Sequence, residues 1–197
     1  ELLVIGGGKE RMRHYFDTYG WPAGRGESKD ELIALLHKTK TDFFTDIIAS
    51  GQLPLRPGIA RIVDEAIAAG VRLGVCTTSA PKAIDGVLDL FGPERKAKFE
   101  FVHAGDVVSR KKPDPEIYDL AKQTLGLPAS DCVVIEDSRN GLLAATGASL
   151  PTLITTSAYT ADEDFTGAIA VVPELGDPPG VRITLADLAQ LASKRAA

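Results

Sequence analysis

Short apolar runs recur at regular intervals through the second part of the chain, and a segment with helical periodicity follows most of them. Five runs have the length of buried strands, at residues 71–76, 99–103, 133–135, 150–154 and 168–172. The segments between them carry apolar residues three and four positions apart, which is typical of amphipathic helices. Short apolar strands that alternate with helices form a parallel sheet covered on both faces. We therefore predict a doubly wound α/β domain over residues 55–197.

Several helices of this domain have recognisable start and stop signals. Pro57 is suited to be the first residue of a helix that ends at Gly70. Asp114 is predicted to cap a helix that begins at Pro115 and ends at Gly126. Further helices are expected near residues 81–90, 138–147 and 185–191.

The first part of the chain has a different residue pattern and is predicted to be helical. Ser28 and Glu31 have the spacing of a capping box, which opens a long amphipathic helix that stops at Gly51. Pro54 then marks a linker. We expect a small helical unit over residues 1–54.

Composition is that of an ordinary folded protein and argues against two classes of partner. Of the 197 residues, 44% are hydrophobic and 25% are charged, which are ordinary values for a globular protein. A chain of this length can bury a substantial core. A net charge of -5 argues against nucleic acid and anionic membranes, because both require a basic surface. No apolar run approaches the length of a membrane span. Cys76 and Cys132 lie in or beside apolar strands, so we expect buried, reduced thiols.

Two adjacent carboxylates, Glu136 and Asp137, directly follow the apolar run 133–135. Side by side they repel each other and raise each other's pKa unless a cation or a set of donors holds them ionised. Hard oxygen ligands of this kind suit Mg²⁺. In the competing interpretation, Asp137 or Ser138 caps the helix that follows. This stretch alone leaves both interpretations open.

Other polar groups follow the neighbouring strands. Thr77, Thr78 and Ser79 come directly after the first strand, at a helix start suited to a phosphate group, and Lys112 lies in the loop after the second. Ligands of open parallel sheets bind at the carboxyl ends of the strands, so these residues should meet the acidic pair. Phosphate donors, a fixed cation and Mg²⁺ ligands are together what phosphoryl transfer requires.

A basic segment near the N-terminus offers a second candidate contact for an anion. Three glycines, residues 6–8, allow close approach of the backbone to a ligand, and Lys9, Arg11 and Arg13 follow. The segment lacks the spacing of a Walker loop. The competing interpretation is a solvated basic start of a helix.

In order and texture these motifs resemble the haloacid dehalogenase superfamily of phosphohydrolases. Thr77 matches the second motif of that superfamily, Lys112 in KKPDPEIY the third, and VVIEDSRNG, which contains Glu136 and Asp137, the fourth. GGGKERMRHYF near the start and YTADEDF near the end are similar to the CbbY-like branch of plants, algae and bacteria, so that the resemblance covers essentially the whole chain.

The resemblance implies Mg²⁺-dependent phosphatase activity on a small sugar phosphate, with xylulose-1,5-bisphosphate as the candidate substrate. It implies that residues 1–54 form a cap over the α/β core and that Lys9 is the lysine of this cap that contacts the substrate. Thr78, Ser79 and Arg13 are further candidate substrate contacts. We expect a monomer with no nucleic-acid or membrane partner. In plant and algal members the resemblance implies the chloroplast stroma, and otherwise the cytoplasm.

The first motif of the family, a strand that ends in Asp-x-Asp and supplies the nucleophile, is missing from this sequence. Asp162-Glu163-Asp164 has the spacing but no preceding apolar strand, so we interpret it as a solvated loop or helix start. The chain begins at Glu1, without methionine and inside the cap. We expect either a longer protein that has lost its N-terminal segment here or a real short form that is inactive alone and has unpaired strand edges.

Four other functions remain to be weighed against phosphatase activity. A phosphomutase of the same fold is not separated from it by the sequence, and a regulatory short form would bind phosphate without a nucleophile. A receiver domain is disfavoured because its acidic pair should come at the first strand. Nucleophilic chemistry at Cys76 is rejected because no arginine follows at phosphatase spacing. The histidines, His14, His37 and His103, share no metal-ligand spacing and are given no role, although His103 lies near the strand-end face.

Overall fold

The computed structural model of the chain describes residues 4–23 and 28–195. Its helices are α1 (Gly8–Tyr19), α2 (Lys29–Ala49), α3 (Ile59–Ala68), α4 (Pro81–Asp89), α5 (Pro93–Lys96), α6 (Glu116–Leu125), α7 (Arg139–Gly147) and α8 (Leu185–Arg195). Its strands are β1 (Leu73–Thr77), β2 (Phe99–Ala104), β3 (Val134–Glu136), β4 (Thr152–Thr155) and β5 (Ala170–Val172). A helical hairpin thus precedes alternating strands and helices, which confirms the predicted α/β class. In these two stretches of chain, every helix is too short or too polar to cross a lipid bilayer.

The strands are parallel, as predicted, but they form two separate groups. β1 pairs with β2, with Cys76 opposite His103, and β3, β4 and β5 form the second group, with Ile135 opposite Leu153. Within the described residues, no strand pairs with the second edge of β1 or of β3. The predicted parallel sheet is therefore present in two parts among these residues, with the unpaired strand edges that the sequence analysis expected.

Helices cover both faces of the strands. One buried cluster joins α3, α4 and α8 to β4, and its members are Ile62, Val63, Leu88, Phe91, Leu153, Leu175, Ile183 and Leu188. The second lies under α6 and α7 and consists of Val108, Ile117, Tyr118, Ala144, Ala145, Ala148 and Leu150. The cysteines are free and half-buried rather than fully buried, and burial raises the pKa of the Cys76 thiol to about 11.

The start of α3 corrects one predicted boundary. Pro57 is not the first residue of the helix, which begins at Ile59, because Gly58 intervenes with a φ of 83°. A Cβ at Gly58 would also lie 2.6 Å from the Cβ of Leu175. The turn therefore needs glycine both for its left-handed backbone and for its close contact with the core. The start of α6 shifts less, since Asp114 still accepts a hydrogen bond from the backbone N–H of Glu116.

The α1–α2 hairpin packs against the core through α2. Ser28 and Glu31 form the predicted capping box at the start of this helix. Further along, Ile48 packs over Gly86 of α4, where an added Cβ would lie 3.7 Å from the Ile48 Cγ2. Lys82 of α4 pairs with Asp42 at 2.7 Å. The hairpin therefore has an apolar and an ionic attachment to the core.

The ionic attachment should persist far into the acid range. Hydrogen bonds from Lys38 and Lys82 lower the pKa of Asp42 to about 2. Because the pKa is lower when folded than when unfolded, this contribution is complete above about pH 4 and disappears as the pH falls through about 2. We expect an NMR titration of the Asp42 carboxyl to give a midpoint near 2, and Lys82→Met to move it upward. A midpoint near 4 in the unchanged chain would contradict the pairing.

Candidate active site

The carboxyl ends of β1 and β3 meet at Lys112. This residue lies in the loop between β2 and α6, and its Nζ donates to the backbone carbonyl of Cys76 at 2.9 Å. The same Nζ forms an ion pair with Glu136, the last residue of β3. Thr77 follows Cys76 and ends β1. The structure thus brings the predicted lysine, hydroxyl group and acidic pair to one edge.

The Lys112–Glu136 pair is buried, with 10% and 9% of the two side chains exposed. Tyr118 of α6 completes it: its hydroxyl accepts from Lys112 Nζ at 3.1 Å and donates to Glu136 Oε1. The ammonium also lies 4.7 Å from the Tyr118 ring centroid. All three ammonium donors of Lys112 therefore have acceptors inside the protein. Burial, and then the charge of Glu136, raise the pKa of Tyr118 well above its usual value.

Tyr118 was missed by the sequence analysis. It lies six positions after Lys112, but an aromatic residue beside the apolar face of a helix is typical of a core position. The signal that could have found it is its hydroxyl, because a buried tyrosine hydroxyl needs a hydrogen-bond partner. At this edge of the sheet the available partners are the lysine and the acid.

Of the two residues predicted as alternative caps of α7, Asp137 and Ser138, it is Ser138 that caps the helix. The Ser138 hydroxyl accepts from the backbone N–H of Gly141 at 3.2 Å, so this residue caps the helix. Glu136 Oε2 accepts the N–H of Asp137 at 3.2 Å. The carboxylate of Asp137 is not needed for the cap and lies exposed at the edge.

Gly141 makes room for the inward position of Glu136. A Cβ at Gly141 would lie 2.0 Å from Glu136 Oε2, closer than any real contact. We expect Gly141→Ala to displace the carboxylate and to lower the free energy of unfolding by about 1–3 kcal/mol, the usual effect of overpacking. Gly86→Ala is the matched control, because Gly86 is also helical and has room for a methyl group. Equal stabilities of the two variants in urea unfolding would contradict the steric argument.

The two carboxylates fit Mg²⁺ in type and in number. Among the described residues, no three His, Cys, Asp or Glu side chains converge as a self-sufficient metal site. Mg²⁺ usually takes only one or two carboxylates and leaves its other positions to water and substrate phosphate. Partial desolvation, and then the charge of Glu136, raise the pKa of Asp137. A cation would relieve this unfavourable environment of Asp137.

The hydroxyl cluster lies in the turn between β1 and α4. The Thr77 Oγ1 accepts from the backbone N–H of Ser79 at 3.1 Å, which fixes the turn. Thr77 and Thr78 are half-buried and Ser79 is exposed. All three therefore lie at the carboxyl end of β1, as predicted, on the strand whose Cys76 carbonyl binds Lys112.

A gap separates the facing edges of β1 and β3. It is a cavity of about 580 Å³, bordered by Val75 and Cys76 on one side and by Val134 and Ile135 on the other. Phe101 leans over Gly74 at its margin, where an added Cβ would lie 2.1 Å from the ring. Unpaired backbone groups next to an apolar cavity favour an extended apolar segment as its occupant.

The two candidate cap cations lie in different places. Lys9, in the first turn of α1, pairs with Asp106 at 2.9 Å, in the loop after β2 that leads to Lys112. Arg13 forms an ion pair with Asp30 of α2. Lys9 therefore faces the core, whereas Arg13 joins the two helices of the hairpin. A role for either residue in substrate binding stays a prediction.

The Asp162-Glu163-Asp164 segment is a loop, as predicted. Glu163 accepts the backbone N–H of Arg139 at 2.6 Å, and Asp164 pairs with the Arg139 guanidinium at 2.6 Å. Hydrogen bonds from Thr166, and then from Arg139, lower the pKa of Asp164 to about 2. These acids hold the start of α7.

Comparison with protein families gives a match over most of the chain. The model of the haloacid dehalogenase-like hydrolases matches residues 5–149. A CbbY-like protein of Arabidopsis thaliana is 51% identical over 199 residues, which cover 99% of this chain and 62% of that protein. CbbY of Cupriavidus necator is 40% identical, over 96% of this chain and 78% of that protein. The chain thus spans less than two thirds of the Arabidopsis relative.

Solved structures show the same similarity. CbbY from Rhodobacter sphaeroides in complex with phosphate has a TM-score of 0.83 and 38% identity, and the match covers 95% of this chain and 80% of that one. An aspartate-to-asparagine variant of the same protein, in complex with xylulose-1,5-bisphosphate, has a TM-score of 0.82 and 37% identity with the same coverage.

Proposed function

Since this chain belongs to the haloacid dehalogenase-like hydrolase family, we propose that it is the cap and the phosphate-binding and metal-binding part of a Mg²⁺-dependent phosphatase. The proposed substrate is a small sugar phosphate, with xylulose-1,5-bisphosphate as the first candidate because an R. sphaeroides relative binds it. The observation that carries the proposal is the buried Lys112–Glu136 pair beside the open Asp137, in which Glu136 borders the gap between β1 and β3.

Each predicted residue has a role in this proposal. Thr77 can donate its hydroxyl to the oxygens of the reacting phosphate, and the fixed ammonium of Lys112 stabilises their negative charge electrostatically. Glu136 and Asp137 hold Mg²⁺, which when bound neutralises charge on the phosphate. Thr78 and Ser79 supply further donors in the turn before α4. Lys9 and Arg13 are the proposed contacts for the rest of the substrate.

The attacking aspartate has to come from outside the described residues. We place it at the end of an apolar strand N-terminal to Glu1 that fills the gap and pairs with β1 and β3. Its carboxylate oxygen attacks phosphorus, the ester P–O bond breaks, and the sugar leaves as an alcohol after taking a proton from a second aspartate. Water then hydrolyses the acyl phosphate and restores the carboxylate. In the following predictions, the completed protein is this chain together with that strand.

The test is to supply the strand. A peptide of six apolar residues followed by Asp-x-Asp is added to this chain with Mg²⁺ and xylulose-1,5-bisphosphate, and phosphate release is measured. We expect release only with the peptide, and none with an Asn-x-Asn control that raises the melting temperature equally. Binding of both peptides without any release would contradict the phosphatase proposal. The alternative of a regulatory short form would then gain support.

Three finer points stay predictions. A phosphomutase of the same fold would return the phosphoryl group to a sugar instead of to water, so product analysis in the peptide experiment separates it from a phosphatase. The chloroplast stroma and the monomeric state likewise remain predictions of the sequence resemblance.

A further inference from the structure

Asp106 connects the cap to the core. Its Oδ2 lies 2.9 Å from Lys9 Nζ in α1, and its Oδ1 lies 2.9 Å from Lys111 Nζ in its own loop. Lys111 also donates to the carbonyl of Gly105, and only 12% of its side chain is exposed. The core lysine is therefore anchored, whereas Lys9 and Asp106 are 47% and 68% exposed. Hydrogen bonds from the two lysines lower the pKa of Asp106 to about 2, so that it stays ionised.

The segment that leads into α1 places this cluster at the mouth of the active site. At Gly6 a Cβ would lie 2.0 Å from the carbonyl oxygen of Lys112, so the segment touches the loop of the buried lysine. On its other side, Asn140 of α7 donates to the carbonyl of Val4 at 3.1 Å. Lys9 is three residues beyond the contact at Gly6. The segment before Lys9 therefore lies against the Lys112 loop, which makes Lys9 a candidate contact for an anion bound there.

We propose that Asp106 is a positioning residue that holds Lys9 toward Lys111 and exchanges with a phosphate group when the substrate binds. The proposal rests on the proposed function in taking Lys9 as a substrate contact. A phosphate dianion carries more charge and more acceptor oxygens than one carboxylate, so it can replace Asp106 on Lys9. The exchange breaks one exposed ion pair, Lys9–Asp106, which opposes it by only about 1.4- to 5-fold and leaves it readily reversible.

The first test needs no ligand. Hydrogen exchange of the α1 amides is compared in the unchanged chain, in Asp106→Asn and in Asp89→Asn. Asp89 is the matched control, because its ion pair is with Lys96 of the core rather than with a residue of α1. We expect Asp106→Asn to speed exchange in α1 by about 1.4- to 5-fold, the effect of one exposed ion pair, and Asp89→Asn to leave it unchanged. Unchanged α1 exchange in Asp106→Asn overturns the inference.

The second test measures binding of xylulose-1,5-bisphosphate by calorimetry. Loss of the internal competitor should tighten binding by about 1.4- to 5-fold in Asp106→Asn, and adding Lys9→Met to that variant should remove most of the gain. Unchanged or weaker binding by Asp106→Asn overturns the exchange. Failure of every variant to bind contradicts the proposed function instead, and the hydrogen-exchange test still decides whether Asp106 holds Lys9.

Discussion

Lys112→Met is expected to lower the free energy of unfolding of this chain by about 3–5 kcal/mol, because it leaves a buried acid without its cation. Only 9% of the Glu136 side chain is exposed, and Tyr118 would remain as its one neutral side-chain donor. The lost ammonium also removes the partner of the Cys76 carbonyl. The measurement is urea unfolding, with a lower midpoint at an unchanged slope as the sign of lost stability.

A matched lysine and a double variant give this prediction its controls. Lys96 pairs with Asp85 and Asp89 on the surface, where solvent screens the charges, so Lys96→Met should leave the urea midpoint nearly unchanged. The double variant Glu136→Gln/Lys112→Met removes both charges and should recover part of the free energy of unfolding that Lys112→Met loses. Comparison of the double variant with the two single variants gives the coupling energy of the pair. A loss below about 1 kcal/mol in Lys112→Met would contradict the burial argument.

The part of the site that the sequence predicts is the part fixed by the ends of strands. Thr77 and Glu136 end parallel strands, and Lys112 precedes a helix that packs on them. In such a sheet the carboxyl edge gathers whatever follows each strand. Apolar runs and helical periodicity were therefore sufficient to place these residues together before any contact was known.

The same reasoning could not predict contacts between the α1–α2 hairpin and the rest of the chain. Lys9 and Asp106 are 97 positions apart, and neither lies at the end of a strand. Their ion pair depends on how the cap sits on the core, which no local pattern encodes. Gly141 was missed for another reason, because its role comes from a missing methyl group beside Glu136. The division of the strands into two groups could be predicted only from the absence of the Asp-x-Asp strand in this sequence.

As candidate ligands of Mg²⁺, the two acids of the edge differ in the structure, although they were equivalent in the sequence. Glu136 is already satisfied by Lys112, Tyr118 and the N–H of Asp137. Asp137 is exposed, and its raised pKa shows that the fold disfavours its charge. An exposed side chain whose charged form is unfavourable in the absence of a ligand is typical of a functional position. Asp137 is accordingly the acid whose removal should affect function without harming the fold.

Asp137→Asn is expected to lower the phosphatase turnover of the completed protein by about 10²- to 10⁴-fold, the range that corresponds to several kcal/mol of lost metal-dependent stabilisation. The stability of this chain at neutral pH should be unchanged or higher. The sign follows from the raised pKa, because a charged Asp137 opposes folding above its pKa and asparagine carries no charge. Turnover is measured by phosphate release over a range of Mg²⁺ concentrations, and stability by urea unfolding.

Asp162→Asn is the control for this prediction, because Asp162 is an exposed carboxylate in the loop after β4. It should leave both turnover and stability unchanged. If Asp137→Asn kept near-normal turnover, Asp137 would not be a ligand of the catalytic metal. If it lost turnover and stability together, the residue would be a part of the scaffold. A loss of turnover with retained stability in Asp137→Asn is the result expected if the Asp137 carboxylate binds the cation and does not stabilise the fold.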